Sequence, residues 1–299
     1  MKSLLLKIFV SSLILFISLF IQSCENQQIN FDFSGRKVLY TDIIGGEEKL
    51  ILFNIDTNKK LVIDHIDDIH KNSYDLYNNG QEIIVNAFST DGDIYNYNII
   101  KEEKKSINLP FERNLIITSC HTSVNKNYLY ISFNNRIFQY SINDFSLVKD
   151  YSIDSTLFEL EVNSQNTIAY VYPCIENHSF GVSEIHVSDL HNATTQILPY
   201  RGYIYGWSKN ANNLLIISGG IKIIEYPPLK LKAIDFSFSD SLKFFRAMDF
   251  ISDREIIFSA YKTNEDFSKT DLFIYNWESN EIKQITNSNS KKEIKSTFY

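Results

Sequence analysis

The sequence has few of the residues that mark several common protein classes. Only five prolines and ten glycines occur in 299 residues, which argues against collagen-like and low-complexity chains. Basic residues number 29 against 36 acidic ones, and no basic stripe with interleaved aromatics is present, so a nucleic-acid partner is not expected. The sequence contains no GxSxG, HExxH, phosphate-binding glycine loop or EF-hand pattern, and we predict no metal and no cofactor.

Aromatic residues, in contrast, are abundant. The chain has 18 tyrosines and 22 phenylalanines, which favour β-strands. Its 44% hydrophobic and 22% charged residues are ordinary for a globular protein. The length is sufficient for one large all-β domain.

The N-terminal segment has the pattern of a secretory signal. Two lysines lie within Met1–Lys7, and Ile8–Ile21 is an apolar run broken only by serines. The run is shorter than the ~20 residues that a membrane-spanning helix needs. A basic start, a short apolar stretch and a small residue before a cleavage site predict export.

The end of this segment, Ile21-Gln22-Ser23-Cys24, resembles the lipobox of bacterial lipoproteins. The resemblance implies cleavage before Cys24, with lipid (palmitate among the acyl chains) on its thiol and amino group. Residues 1–23 would then be the signal peptide and 24–30 a short linker, with the protein anchored to a membrane of the cell envelope, periplasmic or surface-exposed. The mature chain would carry 27 basic and 36 acidic residues, a net charge of −9. An ordinary signal peptide or an uncleaved anchor is the alternative.

Lipidation of Cys24 would leave two cysteines, Cys120 and Cys174. An exported protein is in an oxidising compartment, where a disulfide is permitted. Because sequence alone does not show whether the two Cβ atoms meet, a bridge and a pair of free buried thiols both stay open.

A unit of four short β-prone runs recurs six times from residue 31 onward. We align it on the first aliphatic residue of each second strand, after a polar turn: Val38, Ile83, Leu129, Ile168, Leu214 and Ile256. The spacing of 39 to 46 residues, with four strands per unit, is typical of a β-propeller. We therefore predict that residues 31–299 form a six-bladed propeller with four antiparallel strands in each blade.

The turn, the aliphatic strand and the third strand ending in an aromatic pair resemble TolB-like WD-repeat propellers. The resemblance covers about Phe31 to Asn287. The Ser-Pro-Asp-Gly turn of that family is degraded in every copy, with Gly35, Gly80 and Asp253 as its nearest remnants. The separate N-terminal domain of TolB has no counterpart here, which weakens any transfer of TolB's own role.

The two ends of the repeat predict how the ring closes. The first unit has only Ile29–Phe33 before its turn, and Glu293–Tyr299 is a strand-like segment without a unit of its own. We expect one of them to complete the first blade. In the other units, the first strand of unit three is predicted at Leu115–Ser119 and the fourth strand of unit two at Ser106–Leu109.

The connections predict two different faces. Turns from the first to the second strand and from the third to the fourth are short, and we call the side that carries them the short-turn face. The opposite side carries longer segments, which are freer to vary and to bind a partner. These segments are Asp42–Glu48, His65–His70, Pro173–Ser183, Ser237–Phe244 and Lys262–Thr270.

Candidate binding residues lie on these longer segments. They are acids, histidines and aromatics: His65, Asp67, Asp68, His70, Glu176, His178, Phe180, Asp266 and Phe267. The His and Asp cluster at 65–70 has metal-ligand chemistry, but a solvated connection is the simpler interpretation. Cys174, Glu176 and His178 superficially suggest a thiol nucleophile with a base, although sequence cannot show the required orienting group. No catalytic residue is assigned.

Two classes of function remain. The sequence favours a non-enzymatic binding scaffold on the envelope for a protein, a peptide or a glycan. The alternative is a propeller glycan lyase or hydrolase, which needs carboxylates that converge at the channel. The predicted first strands offer Asp75, Glu159, Glu161 and Asp249, and each could instead point away from the channel.

Lipidation gives the first testable prediction. Replacing Cys24 by Ala removes the thiol that would be acylated, so we expect the variant to be unlipidated and largely released from membranes. The measurement is membrane fractionation together with intact-mass analysis of the wild type. Wild-type protein extracted from membranes without acyl mass on Cys24 would contradict the prediction.

Overall fold

The structure is a computed structural model, and the account below is confined to the residues that it describes. These are residues 31–63, 66, 73–87, 93–110, 120–125, 127–133, 135–153, 157, 159–176, 179–190, 192, 194–227, 230–233, 242–263, 268–287 and 290–299. Residues 33–299 belong to one compact unit. Within the described ranges, no helix has the length and hydropathy needed to cross a bilayer.

The described residues form 24 strands in six four-stranded antiparallel sheets, the blades. From the innermost strand outward, blade 1 is β24 (Glu293–Phe298), β1 (Lys37–Ile44), β2 (Glu47–Asn54) and β3 (Lys59–Ile63), and blade 2 is β4 (Ser73–Tyr77), β5 (Glu82–Ala87), β6 (Asp93–Asn98) and β7 (Glu103–Ser106). Blade 3 is β8 (Cys120–Val124), β9 (Tyr128–Phe133), β10 (Arg136–Ser141) and β11 (Leu147–Ser152), and blade 4 is β12 (Glu159–Val162), β13 (Thr167–Glu176), β14 (Ser179–Asp189) and β15 (Thr194–Arg201). Blade 5 is β16 (Tyr203–Trp207), β17 (Asn213–Ile217), β18 (Ile221–Glu225) and β19 (Lys230–Ala233), and blade 6 is β20 (Leu242–Ser252), β21 (Glu255–Lys262), β22 (Asp271–Asn276) and β23 (Glu281–Gln284).

The innermost strands meet around a central axis. Strand β24 contacts β4 on one side and β20 on the other, and β4, β8, β12, β16 and β20 contact one another in that order. The sheets therefore form a closed ring of six blades. The predicted fold, an all-β six-bladed propeller, is confirmed.

The core lies between the blades. A flat sheet cannot cover its own faces, so each blade buries its apolar side chains against the next one. Between blades 6 and 1, for example, Ile257 and Leu272 pack with Val38 and Ile51. The outermost strands β7 and β23 are exposed along their whole length, which agrees with a core that is concentrated near the inner three strands.

Two predicted strands were misplaced. The innermost strand of blade 3 is Cys120–Val124, while the predicted Leu115–Ser119 lies outside the described residues. The outermost strand of blade 2 is Glu103–Ser106 and not Ser106–Leu109. In both cases the prediction followed the aliphatic residues, but the first strand lines a polar channel and the fourth strand faces solvent.

Two of the predicted long loops are hairpins. Asp42 pairs with Lys49, and the strands continue to a Gly45-Gly46 turn whose φ angles of +63° and +88° suit glycine. In blade 4, Cys174 pairs with Gly181 and Glu176 with Ser179. Backbone pairing extends these segments because their ends can exchange hydrogen bonds across a tight turn.

The C-terminal strand closes the ring, as one of the two predicted alternatives required. Strand β24 pairs antiparallel with β1, with Val38 opposite Thr297 and Thr41 opposite Glu293. The described residues of the other candidate, Phe31–Phe33, are not in a strand. The last segment of the chain thus supplies the innermost strand of the first blade.

Removal of this strand gives the second prediction. A chain ending at Ser290 loses the buried Ile294 side chain, a contribution of ~1.5–3 kcal/mol, and exposes the edge of β1. We expect its Tm to fall by roughly 5–10 °C, measured by thermal denaturation. The full-length Ile294→Ala variant is the control and should lose less. An unchanged Tm for the truncated chain would contradict closure by this strand.

Candidate functional site

The strand register places one residue of each innermost strand at the same level of the channel. We take the residue that directly follows each aligned aliphatic position in the second strands and read its pairing partner. The six partners, from blade 1 to blade 6, are Ser296, Asp75, Ser123, Glu161, Gly206 and Asp249. We call these six residues the channel layer. Carboxylates on blades 2, 4 and 6 alternate with small residues on blades 1, 3 and 5.

All six residues line one cavity of about 1300 Å³ on the axis of the propeller. Glu159, two positions along β12 from Glu161, lines the same cavity. The four acids that the sequence offered on its first strands therefore converge in the channel. Convergence of carboxylates at the channel is what the enzymatic alternative requires, and the sequence alone could not establish it.

Most of these acids accept a hydrogen bond from the next blade. The Thr122 hydroxyl donates to Asp75 over 2.6 Å, which joins blades 2 and 3. The Ile204 amide donates to Glu159 over 2.9 Å, which joins blades 4 and 5. The carboxylates are thus both channel lining and ties between sheets that share no backbone hydrogen-bond ladder.

The small residues of the channel layer complete this pattern. The Ser296 hydroxyl accepts from the Leu76 amide at 2.9 Å, between blades 1 and 2. The Ser123 hydroxyl donates to Glu161 at 3.3 Å and accepts from the Val162 amide at 3.0 Å, between blades 3 and 4. The two serines thus join neighbouring blades at the same level as the acids.

Asp249 occupies the most crowded position of the layer. Its Oδ1 accepts from the Phe250 amide at 2.7 Å, and its Oδ2 lies 2.6 Å from the Thr297 hydroxyl of β24. A Cβ atom on Gly206 would lie 2.7 Å from Oδ1. Glycine at 206 therefore allows blade 5 to approach the carboxyl group closely.

Desolvation in the channel disfavours the ionised form of these acids. Desolvation raises the pKa of Asp75, of Glu159 and of Asp249 to about 7 in each case. Desolvation also raises the pKa of Glu161 well above its usual range, and the charges of Asp75 and Asp249 add to that effect. The mutual repulsion agrees with a geometry in which the acids face one space.

The cavity reaches the short-turn face. Beyond the strands, it is lined by residues of the first-to-second turns, including Asn79, Ser164 and Lys209, and by Asn143 in a third-to-fourth turn. Tyr299 lies at the same end, where its hydroxyl accepts from the Lys209 amide. Asn143 and Ser164 are exposed and form part of the rim.

The residues predicted on the longer segments are largely beyond what the structure describes. His65, Asp67, Asp68, His70, His178, Asp266 and Phe267 lie outside the described residues. Glu176 and Phe180 end the two long strands of blade 4, but their side chains are not described. Binding through these residues stays a prediction.

The two cysteine thiols and the His and Asp side chains at 65–70 also lie outside the described part. Cys120 lies in β8 and Cys174 in β13, and the two alternatives, a bridge and free thiols, both stay open. Among the described side chains, no group of three His, Cys, Asp or Glu is arranged to hold a metal ion.

Sequence reasoning named the channel acids but missed the layer that they form. The sequence alignment of the units contains evidence for this layer. In every other unit an acid, Asp75, Glu161 or Asp249, lies seven or eight residues before the aligned aliphatic residue of the second strand. Ser123 and Gly206 occupy the corresponding strand position in units three and five, and Ser296 of the closing strand completes the layer in blade 1. Single strands do not reveal this pattern, because it becomes visible only when the six units are superposed.

Comparison with known proteins supports the fold alone. No family model and no curated protein sequence matches the chain. Among solved structures, TolB from Acinetobacter baumannii is similar, with a TM-score of 0.62 and 12% identity over 89% of this chain and 68% of that one. The β-propeller domain of the Trilobed protease from Pyrococcus furiosus has a TM-score of 0.51 and 13% identity over 85% of this chain and 84% of that one.

A third similar structure is the acylaminoacyl peptidase of Pyrococcus horikoshii, with a TM-score of 0.50 and 11% identity, over 81% of this chain and 42% of that one. TolB and the propeller regions of peptidases thus share this architecture. At such identities the likeness establishes the propeller fold and leaves activity open.

The raised pKa values predict how stability depends on pH. A carboxyl whose pKa is higher in the folded than in the unfolded chain stabilises the fold at low pH, and this contribution is lost as pH rises from about 4 to the folded pKa, which is about 7 for Asp75, Glu159 and Asp249. Glu161→Gln keeps the shape without the charge, so its free energy of unfolding should depend less on pH than that of the wild type. Denaturant titrations across this range measure it, with the exposed Glu281→Gln as control. Equal slopes for the Glu161 variant and the wild type would contradict the assignment.

Proposed function

We propose that this protein is a lipid-anchored envelope protein whose propeller is a non-enzymatic binding scaffold for a protein, a peptide or a glycan. The observation that carries the proposal is the preformed cavity of about 1300 Å³ on the propeller axis. Ligand sites are typically concave, largely formed in advance, and supplied with a few polar groups that fix orientation. The membrane partner in this proposal is the lipid on Cys24.

The walls of this cavity are held in place by the ties between blades. Because Asp75, Glu159 and Glu161 each accept a hydrogen bond from a neighbouring blade, moving one of them disturbs a junction between sheets. A rigid wall lowers the entropic cost of binding. This favours a scaffold role over one that needs large movements.

The chemistry of the lining indicates the kind of ligand. Carboxyl groups that titrate near neutral pH accept from cationic groups when ionised and donate to oxygen atoms when protonated. Tyr205 and Trp207, which line the same cavity, offer aromatic surface. A neutral or basic peptide segment or a sugar fits this combination, and the net charge of −7, or −9 after cleavage before Cys24, argues against an acidic partner.

An enzymatic role as a glycan lyase or hydrolase is the second candidate. One observation favours it, namely that Asp75 and Glu159 have pKa values raised to about 7, as general acids do. The likeness to peptidase propellers concerns the fold and does not add to this candidate.

The binding proposal predicts that blocking the rim abolishes ligand capture. Asn143 is exposed at the mouth of the cavity, so Asn143→Trp should narrow the entrance without touching the core. Asn192 lies in the corresponding turn of blade 4 and does not line the cavity, so Asn192→Trp is the matched control. We expect envelope proteins or glycans captured by the wild type and the control to be lost from the Asn143 variant, as measured by quantitative affinity capture.

Two further outcomes distinguish binding in the channel from binding on the opposite face and from an enzymatic role. Capture retained by Asn143→Trp but lost when the Pro173–Ser183 hairpin is shortened would place binding on the opposite face and contradict the channel. Turnover of an envelope glycan that Glu161→Gln or Glu159→Gln abolishes, with capture unchanged, would support the enzyme and contradict a non-enzymatic role.

A further inference from the structure

In the closing strand, one hydroxyl group lies within hydrogen-bonding distance of two acceptor oxygen atoms. The Thr297 hydroxyl oxygen lies 2.6 Å from Oδ2 of Asp249 and 2.7 Å from the carbonyl oxygen of Phe250. A threonine hydroxyl has one proton and can donate fully to only one of them. If Asp249 were ionised, one short oxygen–oxygen contact would lack a proton.

A proton on the carboxyl group resolves the conflict. Asp249 then donates from Oδ2 to the Thr297 oxygen, and the Thr297 hydroxyl donates to the Phe250 carbonyl. Oδ1 stays free to accept from the Phe250 amide at 2.7 Å, as a carbonyl oxygen does. Both contacts of Thr297 become complete hydrogen bonds of ordinary O–H···O length.

We propose that the strand that closes the propeller is held by a protonated Asp249, so that ring closure is a latch operated by pH. The closing strand also forms part of the cavity wall, through Glu293 to Tyr299. The latch therefore controls whether the channel is complete. This latch does not depend on the function proposed above, since it follows from the number of protons available at Thr297.

The surroundings of Asp249 favour the protonated form. Asp249 is half-buried in the channel wall, and desolvation raises its pKa to about 7, while the hydrogen bonds from Thr297 and Phe250 oppose that rise. The charged and titratable groups that face it across the channel or from the closing strand are Asp75, Glu161 and Tyr299. On the elements packed against β20, Lys295 pairs with Glu293 at 3.1 Å, and Glu255 pairs with Arg36 at 2.8 Å. Lys262 lies opposite Leu242 at the other end of β20, and the Lys209 ammonium group, just after β16, lies 5.6 Å from the Tyr299 ring.

The closing strand depends on such polar contacts because it has little apolar anchoring. In β24 only Ile294 is buried, and the remaining residues are intermediate in exposure. Apart from its pairing with β1 and the packing of Ile294, the strand is joined to its neighbours by the hydrogen bonds of Ser296 at blade 2 and Thr297 at blade 6. The Lys209 ammonium group also lies 6.0 Å from the Phe298 ring. Loss of the Ser296 or the Thr297 contact should therefore be measurable at the strand itself.

The direction of the pH effect on strand attachment follows from the pKa of Asp249 with the strand detached and with the strand in place. With the strand detached, Asp249 is more exposed to water, and its pKa falls towards the ordinary value of about 4. With the strand in place the value is about 7. Attachment is thus tightest below about pH 4, weakens about tenfold for each pH unit up to about pH 7, and is constant above that.

Hydrogen exchange of the amides of β24, corrected for the intrinsic effect of pH, tests the proposal between about pH 5 and about pH 8. In the wild type we expect protection to fall about tenfold per pH unit up to about pH 7 and then to level off. Asp249→Asn supplies an N–H donor to Thr297 at every pH, so its protection should not follow pH. Thr297→Val removes the hydroxyl and should lower protection throughout.

Asp75→Asn is the matched control, because Asp75 is an equally exposed channel acid whose carboxyl group accepts its hydrogen bond from Thr122 of blade 3 and not from the closing strand. It should keep the pH dependence of exchange at β24. The proposal is overturned if exchange of these amides in the wild type does not depend on pH, or if Asp249→Asn keeps the wild-type profile. A variant that fails to fold still leaves the wild-type profile and the carboxyl ¹³C titration of Asp249, whose ionisation at its ordinary pKa would also overturn it.

Discussion

A propeller is stable only if its last blade meets its first, and here one strand makes that junction. Strand β24 supplies the innermost position of blade 1 from the far end of the sequence. Every other blade is contiguous in the chain, so closure is the one long-range step of this kind. Its apolar contribution is small, since only Ile294 is buried in it. The ring consequently depends on polar contacts near the axis.

The channel acids provide such polar contacts, but their desolvation costs free energy when they are ionised. Burying Asp75, Glu161 and Asp249 together destabilises their ionised forms, yet each forms a hydrogen bond to another blade. Gly206 on an intervening blade makes room for Asp249. The same groups that join the sheets thus give the cavity its polar lining, which links the stability of the fold to the chemistry that a ligand would meet.

The sequence predicted the six units, the four-stranded blades and closure by a terminal strand, because turns and aliphatic second strands repeat with the blades. It misplaced β8, whose residues Thr122 and Ser123 serve the channel and have no apolar pattern. It also took the Asp42–Glu48 hairpin for a loop, since polar ends of a hairpin and a loop have similar composition. The channel layer depends on register between six distant strands, and register follows from the folded sheets.

The blades are joined around the channel by half-buried carboxyl groups that stay largely protonated. Carboxyl ¹³C NMR of protein labelled at Asp and Glu measures the protonation state of these groups. At about pH 6, where exposed carboxyls are ionised, Asp75, Glu159, Glu161 and Asp249 should give the signals of protonated groups and should titrate near or above neutral pH. If all four are ionised at that pH and titrate near their ordinary values, the account is contradicted.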